Sequence, residues 1–558
     1  MIWLKILPLT VAFVRQMSGK PQNMDILRHF QNIAWCKPDW CYPSMSKETN
    51  ELLHQCIGLP RLEYSDDVEE AIKRSEAFPI EFPIHTMRLK SLKTHRPVDK
   101  LKSNIASTYP LIHERVLLLM THFLIYKREF GSAIEKALYR VMTVPELIDR
   151  ILKKRAISFM NSQDQYKLLT GEEDEGGWET VGTLQQKPPL TLDNCLSYDE
   201  LKLSSMVYVS GHTECINDGN RYNAGQVAEE DIESDAVIIG IIGPRFERKF
   251  RMEYEDILIT EQQNCLENGY GEEVTPTTCL HVLKTTYVRN NQSARHMWRQ
   301  IWSEFYQVHS YTYEELTSYV NIQQKPEDNR YVDRYVKSNV DEIFDNEVYY
   351  KRISVTAECV LLEGEERGRQ SGRDVFINVI GAGLGVWKIS AHQADVYVLT
   401  FLERVRSFLK MGVLNHVTDV NFAYIKPSAS ILGLFTNITD ETEGVDSTEK
   451  RIFFESKRHP KGGINVQLEN REPSAKLTGE HAGKLLVITY PWDGNAFPGN
   501  EFWLGSLTGS GDPAAACSTQ ITELHNPYIN PRVDGNNARV AGRAGVATLA
   551  DYCERLST

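Results

Sequence analysis

Paired cysteines are the first thing missing. The 558 residues hold ten cysteines, none in a CxxC spacing, which excludes a close-set zinc site. A disulfide framework belongs to short secreted chains, so Cys36, Cys41, Cys56, Cys195, Cys215, Cys265, Cys279, Cys359, Cys517 and Cys553 read as reduced thiols. Positive charge is scarce as well. A formal net charge of −13 with no arginine-rich run argues against broad nucleic-acid binding, which needs a basic surface to displace counterions from phosphates. No apolar run can span a bilayer: Met1 to Val14 is short, Lys5 interrupts it, and no small-residue cleavage pattern precedes Arg15. The sequons at Asn291 and Asn437 are of a kind that arises by chance. The expectation is a cytoplasmic protein with no membrane partner. Repeats are absent, and 41% apolar with 25% charged residues is ordinary globular composition.

What is present falls into three stretches. Residues 20–165 read as a helical region. Val116, Leu117, Met120, Phe123, Leu124 and Tyr126 make a broad apolar face, and Thr143 with Pro145 and Glu146 marks a fresh, capped helix start. Residues 166–194 are acidic, glycine-containing and close on Pro188-Pro189, which reads as a linker. In 195–558, apolar runs alternate with helical segments. Candidate strands are Met206–Val209, Val237–Ile242, Asp256–Thr260, Val375–Ile380, Val420–Ile425 and Leu485–Tyr490. Their continuous apolar character suits a sheet buried on both faces, hence an α/β fold. The charged stretches Leu362–Arg373 and Asn437–Lys450 read as solvated insertions.

Three loops can carry chemistry. The first, Asn217-Asp218-Gly219-Asn220-Arg221-Tyr222-Asn223-Ala224-Gly225, leads to Glu229-Glu230-Asp231. It can present amides and carboxylates to ribose hydroxyls, or be a polar turn before an acidic helix start. In the second, the strand Val375–Ile380 runs into Gly381-Ala382-Gly383-Leu384-Gly385-Val386-Trp387. An apolar-periodic helix with Val396, Leu399, Leu402, Val405 and Leu409 inside comes next. Glycines let backbone amides approach a diphosphate, although neither the Gly-Lys-Ser/Thr ending of a P-loop nor a full GxGxxG is present. A bare glycine turn is the alternative. The third, Pro498-Gly499-Asn500-Glu501-Phe502-Trp503 with Gly509-Ser510-Gly511-Asp512-Pro513, follows a strand and serves nucleoside contact or loop closure.

Gly225-Gln226-Val227-Ala228-Glu229-Glu230, the Arg251-Met252-Glu253 that enters an apolar run, and the Gly381–Trp387 loop together resemble the poly(ADP-ribose) glycohydrolase type of macrodomain. Ala228 stands where that family's signature has glutamine, and Asn217-Asp218-Gly219 stands for its triple glycine. These departures resemble instead a diverged macrodomain group. That group includes a bacterial effector that removes ADP-ribose from arginine, notably on ubiquitin, and has eukaryotic relatives. The resemblance spans about residues 195–550. It implies a macrodomain-like mixed sheet sandwiched by helices, and an ADP-ribosylhydrolase acting on mono-ADP-ribosylated proteins, ubiquitin among them. Asp218 and Glu230 are then the catalytic carboxylates, with Glu229 and Asp231 beside them. Asn217, Gly219, Asn223, Gly381, Ala382, Gly383, Leu384, Gly385, Val386, Trp387, Asn500 and Asp512 bind the substrate. Neither metal nor cofactor is expected. Phe246, Phe497, Phe502 and Trp503 are aromatic candidates for the adenine. The alternatives are a reader that binds ADP-ribose without cleaving it, a polymer-cleaving glycohydrolase, and a structural protein whose helices recruit a partner.

Overall fold

The computed structural model describes Phe30 to Ser557, apart from residues 31, 34, 37–39, 41–44, 60–61, 272–284, 323–324, 327–328, 340 and 440–445. Met1–Val14, Cys41 and Cys279 lie outside the described residues. Eleven strands form one sheet: β1 (Tyr109–His113), β2 (Val207–Thr213), β3 (Ala236–Ile241), β4 (Val375–Ile380), β5 (Val417–Ala423), β6 (Thr436–Thr439), β7 (Asp446–Glu455), β8 (Gly463–Leu468), β9 (Leu485–Pro491), β10 (Arg539–Gly542) and β11 (Gly545–Thr548). Their spatial order is β6-β7-β8-β5-β4-β9-β3-β2-β1-β10-β11. The five strands β8, β5, β4, β9 and β3 run parallel to one another, flanked on each side by antiparallel partners. β4, β5 and β9 are buried almost throughout, the polar Asn378, Asp419, Asn421 and Thr489 included.

The helical region contributes β1, which lies inside the sheet between β2 and β10. Helix α1 (Glu114–Phe130) follows it directly. Farther on, the Thr143 hydroxyl and the Glu146 carboxylate cap the helix Val144–Lys153 reciprocally. The stretch 166–194 is folded rather than a free tether. Trp178 is buried with Phe159, Tyr166 and Leu192, and its indole donates to the Leu196 carbonyl at 2.8 Å.

Three sequence expectations change. Leu362–Arg373 is not a solvated insertion. Most of it is the end of helix α2 (Asn346–Ser371), a 26-residue helix buried from Asn346 to Gly364. Its charges are satisfied internally: Glu363 accepts from Arg367 Nε at 2.7 Å, Tyr109 at 2.8 Å and Ser210 at 2.6 Å. Gly364 and Gly368 let the helix lie against the sheet, since a Cβ on either would press on Ile377 or Val375. Likewise Asn437–Lys450 falls largely in β6 and β7, which pair antiparallel, and 440–445 lie outside the described residues. Asp256–Thr260 shortens to the two-residue strand Leu258–Ile259, preceded by the helical turn Tyr254–Ile257 and paired with Glu342–Asp345 in a separate small sheet. Helix α3 (Gln393–Met411) buries Val396, Leu399, Leu402, Val405 and Leu409 as its periodicity predicts. Among the described residues, no helix is long and apolar enough to cross a membrane.

Candidate functional site

Five parallel strands end at one edge, so the loops leaving them converge there. They border a cavity of about 660 Å³. Read in the spatial order of the strands, it is lined by Glu472 to Ser474 after β8, Tyr424 after β5, and the glycine loop after β4. Trp492 and Asp493 after β9 and Gly243 after β3 complete the row. Helix α4 (Gly511–Ser518) and the first loop complete the walls, and Ile238 and Ile488 line it as well. That size suits a dinucleotide-like ligand.

The middle of the row is the glycine loop. Gly381, Gly383, Leu384, Gly385, Val386 and Trp387 line the cavity, while Ala382 is buried at 1% exposure and backs the loop from inside. Gly383 has φ +74°, and the backbone of Gly243 packs against it so closely that a Cβ at Gly243 would sit 2.5 Å from the Ala382 carbonyl oxygen. The amides of Gly383, Gly385 and Val386 donate to no protein acceptor among the described residues. Helix α3 begins only at Gln393, so the loop offers its own amides rather than a helix terminus.

Beside it, β9 and β3 deliver a buried polar end. Asp512 accepts from the Gly499 amide at 3.0 Å, and its Oδ2 is buried with no partner among the described residues. Burial, with Glu501 nearby, holds this carboxyl well above the usual carboxylate range. Burial likewise pushes Asp493 up to about 6, against the pull of Arg245. Asn500 lines the cavity but is engaged with protein: its Oδ1 accepts from Ser158 Oγ at 2.8 Å and Phe159 N at 3.0 Å, and its Nδ2 donates to Asp493 at 3.3 Å. It therefore fixes the Ser158–Asn161 segment, and Phe159 from that segment lines the wall. Phe246, Phe497, Phe502 and Trp503 are buried in the core and do not line the cavity; Phe159, Trp387, Tyr490 and Trp492 do. Sequence reasoning missed Asp493 and Gly243, although each lies within three residues of the end of a readable strand.

The opposite end is the first loop. Four side chains fold it by accepting from the amide two residues on: Asn217 from Gly219 at 3.0 Å, Asp218 from Asn220 at 2.9 Å, Asn220 from Tyr222 at 2.9 Å, and Asn223 from Gly225 at 2.9 Å. Asn217 also donates to the Gln226 and Cys517 carbonyls, and Asn223 to Ser518 Oγ, so both are spent on the loop. The Ser474 amide donates to the Asp218 carbonyl at 2.8 Å, and a Cβ at Gly219 would meet Ser474 at 3.0 Å, which seats this loop against the one after β8. Gly219 and Arg221 face the main cavity; Asn217, Asp218, Asn223, Glu229, Glu230 and Asp231 line an adjoining one of about 590 Å³. The structure thus brings the four predicted carboxylates around one hollow. Glu229, Glu230 and Asp231 are exposed, and Glu229 pairs with Arg96 at 3.1 Å. Among the described residues no cluster of His, Cys, Asp and Glu is placed to hold a metal ion.

A family model described as ADP-ribosylhydrolase MavL-like matches residues 69–555, which takes in most of the helical region as well as the sheet. Two Drosophila melanogaster proteins are similar over nearly their whole length. One, named ADP-ribosylarginine hydrolase CG3568, is 38% identical over 525 residues, covering 91% of this chain and 92% of that protein. The other, named ADP-ribosylarginine hydrolase CG2909, is 36% identical over 521 residues, covering 92% of this chain and 95% of that one.

Proposed function

The chain belongs to the MavL-like ADP-ribosylhydrolase family, and we propose that it removes mono-ADP-ribose from arginine side chains of proteins by hydrolysing the N-glycosidic bond. The observation that carries the reading is the order of the loops. The main cavity joins an end of buried carboxyls and aromatics to a stretch of open amides, and the first loop carries the acidic hollow beside it, a succession that suits the base, diphosphate and distal ribose of ADP-ribose. Uncharged amides of Gly383, Gly385 and Val386 hold the diphosphate and so fix the anomeric carbon. Asp218 and Glu230 hold ribose hydroxyls and orient water. The bond from the anomeric carbon to the guanidinium nitrogen breaks through an oxocarbenium-like state, which adjacent negative charge stabilises. Water adds its oxygen to that carbon, and its proton leaves with the guanidine. The fold is of macrodomain type, a reading supported by the parallel strands and the two ligand-facing loops. Action on cytoplasmic proteins is supported by the free thiols of the eight described cysteines.

The test is hydrolysis of proteins mono-ADP-ribosylated at arginine, glutamate or serine, with ADP-ribosyl-arginine ubiquitin among them. Wild type is compared with Asp218→Ala and Glu230→Ala. Release from arginine, lost in either variant, is expected. Binding of ADP-ribose with no release from any linkage would make the protein a reader instead.

A further inference from the structure

Tyr424 is a bulky residue in the left-handed backbone region, with φ 59°, at the first position after β5. Such a conformation is costly and persists only where the surroundings enforce it. Here they do: the Tyr424 amide donates to Asn470 Oδ1 at 2.8 Å, and its hydroxyl donates to Glu472 Oε1 at 2.8 Å. Asn220 Nδ2 of the first loop donates to the same oxygen at 3.2 Å. Glu472 Oε2 takes no protein donor among the described residues. The ring is 47% exposed, large for an aromatic held by its own hydroxyl, and it lines the main cavity on the side nearest the acidic loop. Burial first, then the hydrogen bond to Glu472 and the nearby charges of Glu472 and Asp218, hold the phenol up at about 12, so it stays a donor. Arg221, the cation on the same loop, also lines the main cavity, where its Nη2 donates to the Gly509 carbonyl at 2.6 Å.

A fixed aromatic face beside a carboxylate with one open oxygen is the surface that receives a flat cation. We infer that Tyr424 and Glu472 form the subsite for the arginine guanidinium of the substrate, with the ring stacked on its face and Glu472 Oε2 accepting from its edge. This rests on the arginine reading above and adds to it the residues that select the linkage. The ADP-ribose part of the substrate is held elsewhere, by the glycine loop. A serine linkage offers no cation here, and a glutamate linkage would develop negative charge against Glu472 and Asp218. The expected order is therefore arginine over serine over glutamate.

The experiment measures kcat and KM on an ADP-ribosyl-arginine peptide, and Kd for free ADP-ribose by calorimetry, for wild type, Tyr424→Ala, Tyr424→Phe and Glu472→Gln. Tyr424→Ala is expected to lower kcat/KM by about five- to thirtyfold, the range of a partly desolvated cation–π contact, while the Kd for ADP-ribose moves less than about threefold. Tyr424→Phe keeps the ring and recovers most of that loss; Glu472→Gln lowers kcat/KM and narrows the preference for arginine over serine. An active wild type whose Tyr424→Ala variant matches it, or loses ADP-ribose affinity by the same factor as kcat/KM, overturns the assignment. A wild type that leaves ADP-ribosyl-arginine intact overturns instead the arginine reading beneath it.

Discussion

Adding one methyl group at Gly243 should disable ligand binding without touching any ligand-lining side chain. A Cβ there would stand 2.5 Å from the Ala382 carbonyl oxygen and overlap the Gly383 amide, where about 3.5 Å is the ordinary approach. The neighbours are backbone, so the glycine loop must shift as a unit by about 1 Å. The shift carries the Gly383, Gly385 and Val386 amides away from the phosphate position. One hydrogen bond to a charged group is worth about 1.5–3 kcal/mol. Losing one therefore weakens ADP-ribose binding about ten- to a hundredfold. Overpacking itself costs about 1–3 kcal/mol of stability, which a chain with so large a core can absorb. Calorimetric titration of Gly243→Ala with ADP-ribose, beside a urea unfolding curve, measures both effects. Gly385→Ala is the control, because a Cβ there meets nothing within 4 Å and should leave the unfolding curve unchanged. A folded Gly243→Ala protein that binds ADP-ribose with wild-type affinity would refute the claim that these amides hold the ligand.

Further outcomes follow from charge and from loop shape. Burial lifts Asp493 from 3.8 to about 6, so the folded state keeps a proton that the unfolded chain has lost. Its stabilising contribution is full below pH about 4 and gone as pH rises through about 6. Asp493→Asn should then gain on wild type across that window, by up to about 3 kcal/mol, and parallel pH–stability curves would exclude it. Arg96 donates to buried Glu214 at 2.7 Å and to Glu229 at 3.1 Å. Arg96→Ala leaves Glu214 without that counter-ion and should cost about 3 kcal/mol in urea unfolding, an effect absent if Glu214 finds another donor. Asp218→Asn preserves the oxygen that accepts from the Asn220 amide but removes the charge. Its unfolding curve should match wild type while kcat falls about a hundredfold or more, and retained turnover would exclude Asp218 from the chemistry.

Where a segment's own residues dictate its conformation, the sequence was readable. β4 begins and ends where its apolar run does, and the glycines that follow it form a loop with one positive φ. The cap at Thr143 is equally local. Asp493 and Glu472 were not legible, because nothing near them distinguishes a ligand-facing carboxylate from a solvated one. They matter through parallel pairing of β8, β5, β4, β9 and β3, strands far apart in the chain, and β8 alternates apolar with polar residues from Ile464 to Leu468, unlike the near-continuous apolar runs that mark β3, β4 and β9. Leu362–Arg373 misled for a related reason. Its charges look like solvent-facing ones until Tyr109 and Ser210, on distant strands, are seen to satisfy Glu363.

The acidic loop shows why residue type alone misjudges a site. Asn, Asp and Gly accumulate there for conformational reasons, since each of four side chains accepts from the backbone two residues ahead. Asn217 and Asn223 then have their amide groups occupied by carbonyls and by Ser518, which leaves them as framework. Asp218 alone among the four adds a charge to the turn it makes, and its backbone is clamped to Ser474. A catalytic carboxylate must be held with little freedom, because misplacement of about 1 Å costs up to about a hundredfold in rate. The neighbours that make Asp218 look like part of a generic polar turn are what give it the fixed position that its proposed role requires.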